Sequence, residues 1–171
     1  EGAYAFSKTW TLGGNLALSQ NKIREFTEYI DDYSVDEFRQ ETNTYTNTDI
    51  AFSPNVVGSA IIEYKPAKNL SINWLSKYVG RQFLDNTANE ARSLDAFFTN
   101  DLRISYAATP RFFKGLEVNL LINNIFNELY EPNGYTFSYF VPGGFGRELV
   151  TENFYYPQAG TNFLLGVKMK F

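Results

Sequence analysis

The feature that most constrains this chain is a two-residue alternation that runs to its last residue. Reading back from the end, Phe171, Met169, Val167, Leu165 and Phe163 are apolar, while Lys170, Lys168, Gly166, Leu164 and Asn162 lie between them. Successive side chains of a strand point to opposite faces, so the segment predicts a β-strand with one apolar face and one mostly polar or small face. The period returns upstream. Leu116, Val118, Leu120 and Ile122 alternate with Glu117, Asn119, Leu121 and Asn123. Phe98, Leu102, Ile104 and Tyr106 share a face with Asn100, opposite Thr99, Asp101, Arg103 and Ser105. Leu70, Ile72 and Trp74 oppose Ser71 and Asn73. Val56, Ala60, Ile62 and Tyr64 oppose Ser59, Glu63 and Lys65, although Val57 and Ile61 blur that strand. Trp10, Leu12, Leu16 and Leu18 oppose Thr11, Asn15 and Ser19. That makes six strands, each about ten residues long as a tilted membrane strand requires. No segment carries a 3.6-residue apolar stripe.

Composition narrows the function. The chain of 171 residues is 18% aromatic and has neither His nor Cys. Aromatic residues favour strands and membrane interfaces. The commonest general base, the commonest transition-metal ligand and all thiolate chemistry are missing, so neither an enzyme nor a cofactor site is expected. A net charge of -4 argues against a nucleic-acid partner, which selects basic surfaces. No run approaches the roughly 18 apolar residues of a spanning helix. A barrel strand shows lipid only at every second residue, so low mean hydropathy is compatible with one.

The connections alternate in length. Residues 65–69 and 108–115 are short turns, whereas 24–49, 85–94 and 131–156 are longer and mostly polar. Short turns at one end and long loops at the other suit an outer-membrane barrel, with the long loops extracellular. The last strand then descends and puts Phe171 on the periplasmic side, and the strand at Trp10 rises. Glu1 to Ala5 become the foot of a preceding descending strand and Phe6 to Thr9 a short turn, as expected of a chain that opens partway through a barrel. Trp10, Tyr64, Trp74, Tyr78 and Tyr106 fall near strand ends, where a membrane protein has aromatic girdles. In a soluble barrel the same residues would fill a core.

Several segments resemble TonB-dependent outer-membrane receptors. Asn123-Asn124-Ile125-Phe126-Asn127-Glu128-Leu129-Tyr130 is similar to the NNLFN-x-x-Y segment on their penultimate strand. Gly134-Tyr135, then Tyr155-Tyr156-Pro157-Gln158-Ala159-Gly160-Thr161-Asn162-Phe163, is similar to their closing YYPQPGRNF segment. Leu164 to Phe171 matches the terminal strand, and Lys77 to Thr87 looks like receptors of this family from Bacteroidetes-type bacteria. The resemblance covers essentially the whole chain. It implies an all-β fold, an antiparallel up-and-down transmembrane β-barrel, of which residues 1–171 form the C-terminal strands. The whole would be a plugged barrel of about 22 strands, with the plug absent from this chain. The implied function is that of the parent: energised import, across the bacterial outer membrane, of a scarce nutrient such as a ferric siderophore, haem, cobalamin or an oligomer. The implied partners are the lipid bilayer, the remainder of the barrel and plug, the barrel-assembly machinery, and TonB through the missing N-terminal part.

Some residues are singled out by their own chemistry. Phe163, Leu165, Val167, Met169 and Phe171 suit an assembly signal, read by strand pairing with the assembly machinery. The other reading is an edge strand that packs on a soluble core. Tyr29, Tyr33, Arg92, Tyr135, Tyr139 and Arg147 lie in the long stretches and are candidate substrate contacts. Asp31, Asp32, Asp36, Glu37 and Glu41, among Tyr29, Tyr33, Phe38 and Tyr45, read as a solvated extracellular loop; their spacing fits no EF-hand, and no metal site is expected. Gly143-Gly144-Phe145-Gly146 lacks the context of a phosphate loop and reads as a loop tip. Asn69-Leu70-Ser71 is a chance sequon at a turn. Asp101, Arg103, Glu117, Lys77 and Arg81 face the polar side, where they would pair or solvate a wet lumen. Two alternatives stand beside the receptor reading: a small self-contained outer-membrane barrel with a structural or adhesive role, and a soluble lipocalin-like ligand carrier.

Overall fold

The computed structural model describes residues 1–112 and 114–171. Phe113, in the turn expected at 108–115, lies outside the described residues. Among those described there are thirteen strands and no helix. They are β1 (Gly2–Ala5), β2 (Trp10–Leu18), β3 (Lys22–Asp32), β4 (Arg39–Asp49), β5 (Val56–Ala67), β6 (Leu70–Val79), β7 (Gln82–Phe83), β8 (Ser93–Leu94), β9 (Phe97–Ala108), β10 (Gly115–Asn123), β11 (Gly134–Gly143), β12 (Gly146–Tyr155) and β13 (Asn162–Lys170). All six strands expected from the alternation are present, and the expected foot of a preceding strand is β1.

Seven strands form one antiparallel sheet in the order β1-β2-β5-β6-β9-β10-β13. Its register brings the alternating residues into rows. Tyr4, Leu12, Ile62, Trp74, Leu102, Ile122 and Phe163 are direct partners in turn, one from each strand. Trp10, Tyr64, Ile72, Ile104, Leu120 and Leu165 form a second apolar row, in which the Trp10 and Tyr64 rings stack at 4.2 Å. The opposite face carries rows such as Thr11-Glu63-Asn73-Arg103 and Asn15-Ser59-Lys77-Thr99. It is tied by polar contacts, Asn15 Nδ2 donating to Ser59 Oγ at 2.8 Å and Ser105 Oγ to Asn119 Oδ1 at 2.7 Å. A one-residue slip would reverse every side chain, so the apolar rows fix the register.

Among the described residues the apolar rows are covered only in part: the Phe126 ring lies 5.7 Å from that of Trp74, and much of the remainder is open. Phe163 is 74% exposed and Leu165 64%. Burying one such side chain is worth roughly 1.5–3 kcal/mol, and a soluble monomer rarely leaves an apolar patch beyond a few hundred Å² uncovered. The buried apolar residues lie elsewhere: Val79, Phe83, Leu84, Leu94 and Phe97 gather at the long-loop end of β6 and β9, and Ile30 lies in β3. The sheet is open, with β1 and β13 at its edges. Unpaired edges are costly in hydrocarbon, where no water can satisfy the backbone.

The structure corrects three expectations. The stretches 24–49 and 131–156 are extended hairpins, β3/β4 and β11/β12, rather than loops. The period of the first was masked because β4, Arg-Gln-Glu-Thr-Asn-Thr-Tyr-Thr-Asn-Thr-Asp, carries only Tyr45 as a large apolar side chain; its threonines supply strand propensity without an apolar stripe. The sheets are not wholly antiparallel, since β11 pairs β3 in parallel at Tyr139–Asp31 and Phe140–Asp32. Trp74 sits mid-strand, because β6 continues to Val79. Its indole Nε1 donates to Asn100 Oδ1 at 3.1 Å, and Ser76 Oγ donates to the same atom, so the one amide noted on the apolar face is satisfied there. Asp101 and Arg103 do not pair; the Asp101 carboxylate accepts the Asn124 backbone N–H at 2.8 Å. The Gly143 and Gly146 pair closes the β11/β12 hairpin, and the φ of 123° at Gly146 demands glycine.

The segment Asn123 to Asn127 has a structural role. Asn124 and Asn127 adopt φ of 49° and 54°, which Asn tolerates better than most residues. The buried Asn124 amide donates to Glu128 O at 2.8 Å and accepts from Glu128 N at 2.9 Å, closing a turn above β10. Thr161 then docks on this turn, its hydroxyl donating to Asn124 O at 2.7 Å and its N–H to Asn127 Oδ1 at 3.1 Å. A Cβ at Gly160 would collide with that Asn127 amide oxygen. The turn thus positions the start of β13 against β10. Asn124→Ala is expected to destabilise the protein by about 1–3 kcal/mol, the cost of stranding buried backbone partners. The measurement is the urea midpoint of the refolded protein, and an unchanged midpoint would refute the role.

Candidate functional site

The site is built where the two hairpins meet. β3 and β11 pair at two positions only, and the Tyr33 N–H adds one bond to Phe140 O at 2.9 Å. So short a parallel bridge needs side-chain support. Asp32, with its side chain fully buried, accepts from Arg39 Nη2 at 2.6 Å and from Arg147 Nη1 at 2.7 Å. Arg147 reaches from β12 and also meets Glu41 Oε1 at 2.8 Å, while its guanidinium lies 4.1 Å from the Phe140 ring centroid. The Ser34 hydroxyl and N–H also bond the Asp32 carboxylate. These bonds, the Ser34 hydroxyl first and then the two guanidinium groups, outweigh burial and hold the Asp32 carboxyl well below its usual range. Asp32 and Glu41 therefore belong to a charge clasp, whereas Asp36 and Glu37 stay exposed in the turn between β3 and β4.

Beside the bridge, where β3 and β11 are unpaired, a cleft of about 710 Å³ opens. Phe26, Tyr29 and Tyr33 line it from one hairpin, Phe137 and Tyr139 from the other. The rings continue as a ladder along β11 and β12. Tyr33 and Tyr139 meet edge-on at 6.1 Å, Tyr139 and Phe137 stack at 5.8 Å, Phe137 and Phe154 at 5.9 Å, and Phe154 and Tyr135 at 4.9 Å. The polar lining centres on buried Arg92. Its Nη1 donates to Glu28 Oε1 at 2.6 Å and Asp85 Oδ2 at 2.8 Å, and its Nη2 to Ser138 Oγ at 2.7 Å. One guanidinium thereby ties β3, the segment between β7 and β8, and β11. Burial works against its charge, but the hydrogen bonds it donates to Glu28 and Asp85 prevail and raise its pKa further.

Of the residues singled out from the sequence, Tyr29, Tyr33, Arg92 and Tyr139 line this cleft. Tyr135 stands further along the ring ladder, and Arg147 belongs to the clasp. Phe26, Glu28, Asp85 and Phe137 line the cleft as well. A signal for Phe137 was present, since Tyr135, Phe137 and Tyr139 recur at spacing two; the others are brought in only by the hairpin pairing. Phe163, Leu165, Val167 and Met169 lie on the apolar face of edge strand β13, with Phe171 just beyond it.

The clasp makes a testable claim. Asp32→Asn and Arg147→Met should each raise amide exchange at Tyr33 and Tyr139, and the double variant should do little more than either alone. Because the Asp32 carboxyl titrates below its ordinary value of 3.8, its contribution should be complete above that pH and fade as pH falls further toward the lowered folded value. Additive effects, or pH dependence that persists in Asp32→Asn, would break the assignment.

Comparison with known proteins bears on the fold. No protein-family model matches the sequence, and no curated protein matches it. Among solved structures, 99% of the chain superposes on 22% of the ferric yersiniabactin uptake receptor FyuA from Yersinia pestis, with a TM-score of 0.59 and 11% identity. A second match is the closed form of the ferric-catecholate import receptor Fiu from E. coli K12, with a TM-score of 0.55, 16% identity, and coverage of 99% of this chain and 20% of that one. The chain spans about a fifth of the length of either receptor. At these identities the likeness shows fold: this chain has the antiparallel β-architecture of a segment of such a receptor.

Proposed function

We propose that the chain is the C-terminal segment of the barrel of a TonB-dependent outer-membrane receptor, and that the parent protein imports a scarce nutrient with energy from the inner membrane. The observation that carries this reading is the largely uncovered apolar face spanning all seven strands of the main sheet, backed by a polar face and topped by hairpins. Strands of 9 to 12 residues suit a tilted crossing of the bilayer. The segments at Asn123–Tyr130 and Tyr155–Phe163 support the family, and the FyuA and Fiu likeness makes a ferric siderophore one cargo to test. The open edges at β1 and β13 would be closed by the other strands of the barrel, and a plug would meet the polar face. A lipocalin-like carrier fits less well, since it would cover its apolar face with its own strands.

Fractionation tests this reading. The parent should sediment with the outer membrane, resist extraction by carbonate and require detergent. Recovery in the soluble fraction would reject it. Phe171 offers a second test. Deleting it removes at most about 1.5–3 kcal/mol of burial, which a many-stranded barrel should survive. If the terminal strand is read by the assembly machinery, the deletion should lower surface labelling in cells while refolding in detergent stays near normal. Equal surface labelling would exclude the assembly role.

A further inference from the structure

The cleft between the hairpins has a charge balance that selects among ligands. It holds three carboxylates, Glu28, Asp31 and Asp85, against the single guanidinium of Arg92, a formal balance of −2. Both terminal nitrogens of that guanidinium are already engaged by Glu28, Asp85 and Ser138. An entering anion would have to break those bonds and face the uncompensated carboxylates. A cation meets the opposite situation: a field that attracts it, and ring faces from Tyr29, Tyr33, Phe137 and Tyr139 on which it can sit.

A second observation points to a ligand rather than to a merely acidic surface. Four buried side-chain polar atoms lack a partner among the described residues, and three of them gather here: Arg92 Nε, Thr136 Oγ1 and Asn153 Oδ1. Arg92 is only 5% exposed, and both it and Thr136 line the cleft. Thr136 and Asn153 are cross-strand partners, and Asn153 Nδ2 donates to Ala91 O, beside Arg92. Buried polar groups are normally paired, so this cluster marks a place where bonds are supplied from outside. The Thr136 hydroxyl oxygen can accept from an ammonium or guanidinium, while Arg92 Nε calls for an acceptor such as a ligand hydroxyl.

We propose that this cleft binds a cationic, hydroxylated organic ligand that stacks on the tyrosine rings, and that it discriminates against anions. The proposal rests on the receptor reading for its biological setting, but the binding chemistry follows from the cleft alone. Anionic chelates, such as a tris-catecholate of iron, are then poor ligands for this part of the protein.

The test uses the full-length native protein in detergent, with three probes of similar size: trimethylphenylammonium, phenyl glucoside and benzoate. Calorimetry should show trimethylphenylammonium binding about tenfold more tightly than benzoate, with phenyl glucoside between them, and the gap should shrink at high salt. Tyr139→Leu should abolish most of the preference, Tyr139→Phe should keep it, and Phe145→Ser, at the hairpin tip, should leave it unchanged. Retention of binding by Tyr139→Phe serves as the check that the site is folded. Benzoate binding as tightly as the cation, phenyl glucoside binding as tightly as the cation, or no binding by any probe would each overturn the proposal. Fractionation separates the two readings: a protein that sits in the outer membrane yet prefers benzoate refutes only the ligand class, whereas a soluble protein that selects the cation refutes only the receptor.

Discussion

The rest of the structure depends on the register of one antiparallel ladder. Because side chains alternate strictly along a strand, the pairing of seven strands fixes two complete faces at once. From Tyr4 to Phe163 the apolar residues stand opposite one another without a break. Such a sheet has no core of its own, and its stability must come from what lies against each face. An apolar medium on one side and water or polar protein on the other satisfies both, which is why the sheet suits a membrane wall better than a soluble sandwich. The buried cluster of Val79, Phe83, Leu84, Leu94 and Phe97 lies at the long-loop end, beside the bases of the hairpins.

Charge does for the hairpins what apolar rows do for the sheet. Arg147 and Asp32 are 115 residues apart in sequence, and Arg92 and Glu28 are 64 apart. Each pair closes a long loop, and each is buried or half-buried, where removal of one partner strands the other. Two guanidinium groups therefore set the width of the cleft, and the rings of Tyr33, Phe137 and Tyr139 are placed by them. The cleft and its support are built from the same contacts, so a change to the clasp also changes the shape offered to a ligand.

The turn at Asn124 joins these two regimes. It ends the ladder at β10, uses asparagine to adopt positive φ, and passes its backbone carbonyl to Thr161 at the start of β13. The segment Asn123 to Tyr130 is thus explained by geometry: the last strand is held in register by a turn whose amides leave no room for a side chain at Gly160.

The strands of the main sheet were legible from sequence because period-two alternation is local and needs no knowledge of neighbours. Short turns join β1 to β2, β5 to β6 and β9 to β10, whereas β2 and β5, β6 and β9, and β10 and β13 are neighbours across long stretches. The β3/β4 hairpin was not legible, whereas β11 carries a period-two signal in Tyr135, Phe137 and Tyr139. β4 has threonine on one face and mostly asparagine and charged residues on the other, so no alternation of hydrophobicity betrays it. Of the candidate contacts, the tyrosines at 29, 33 and 139 were identifiable by composition, yet nothing local says that Arg92 is consumed by Glu28 and Asp85 or that Arg147 fastens one hairpin to another. By itself the sequence determined the two faces of the sheet, because each strand encodes its own amphipathicity. Only the tertiary structure decided which charges are spent and which cleft they leave, because ion pairing between distant segments depends on where the chain brings them together.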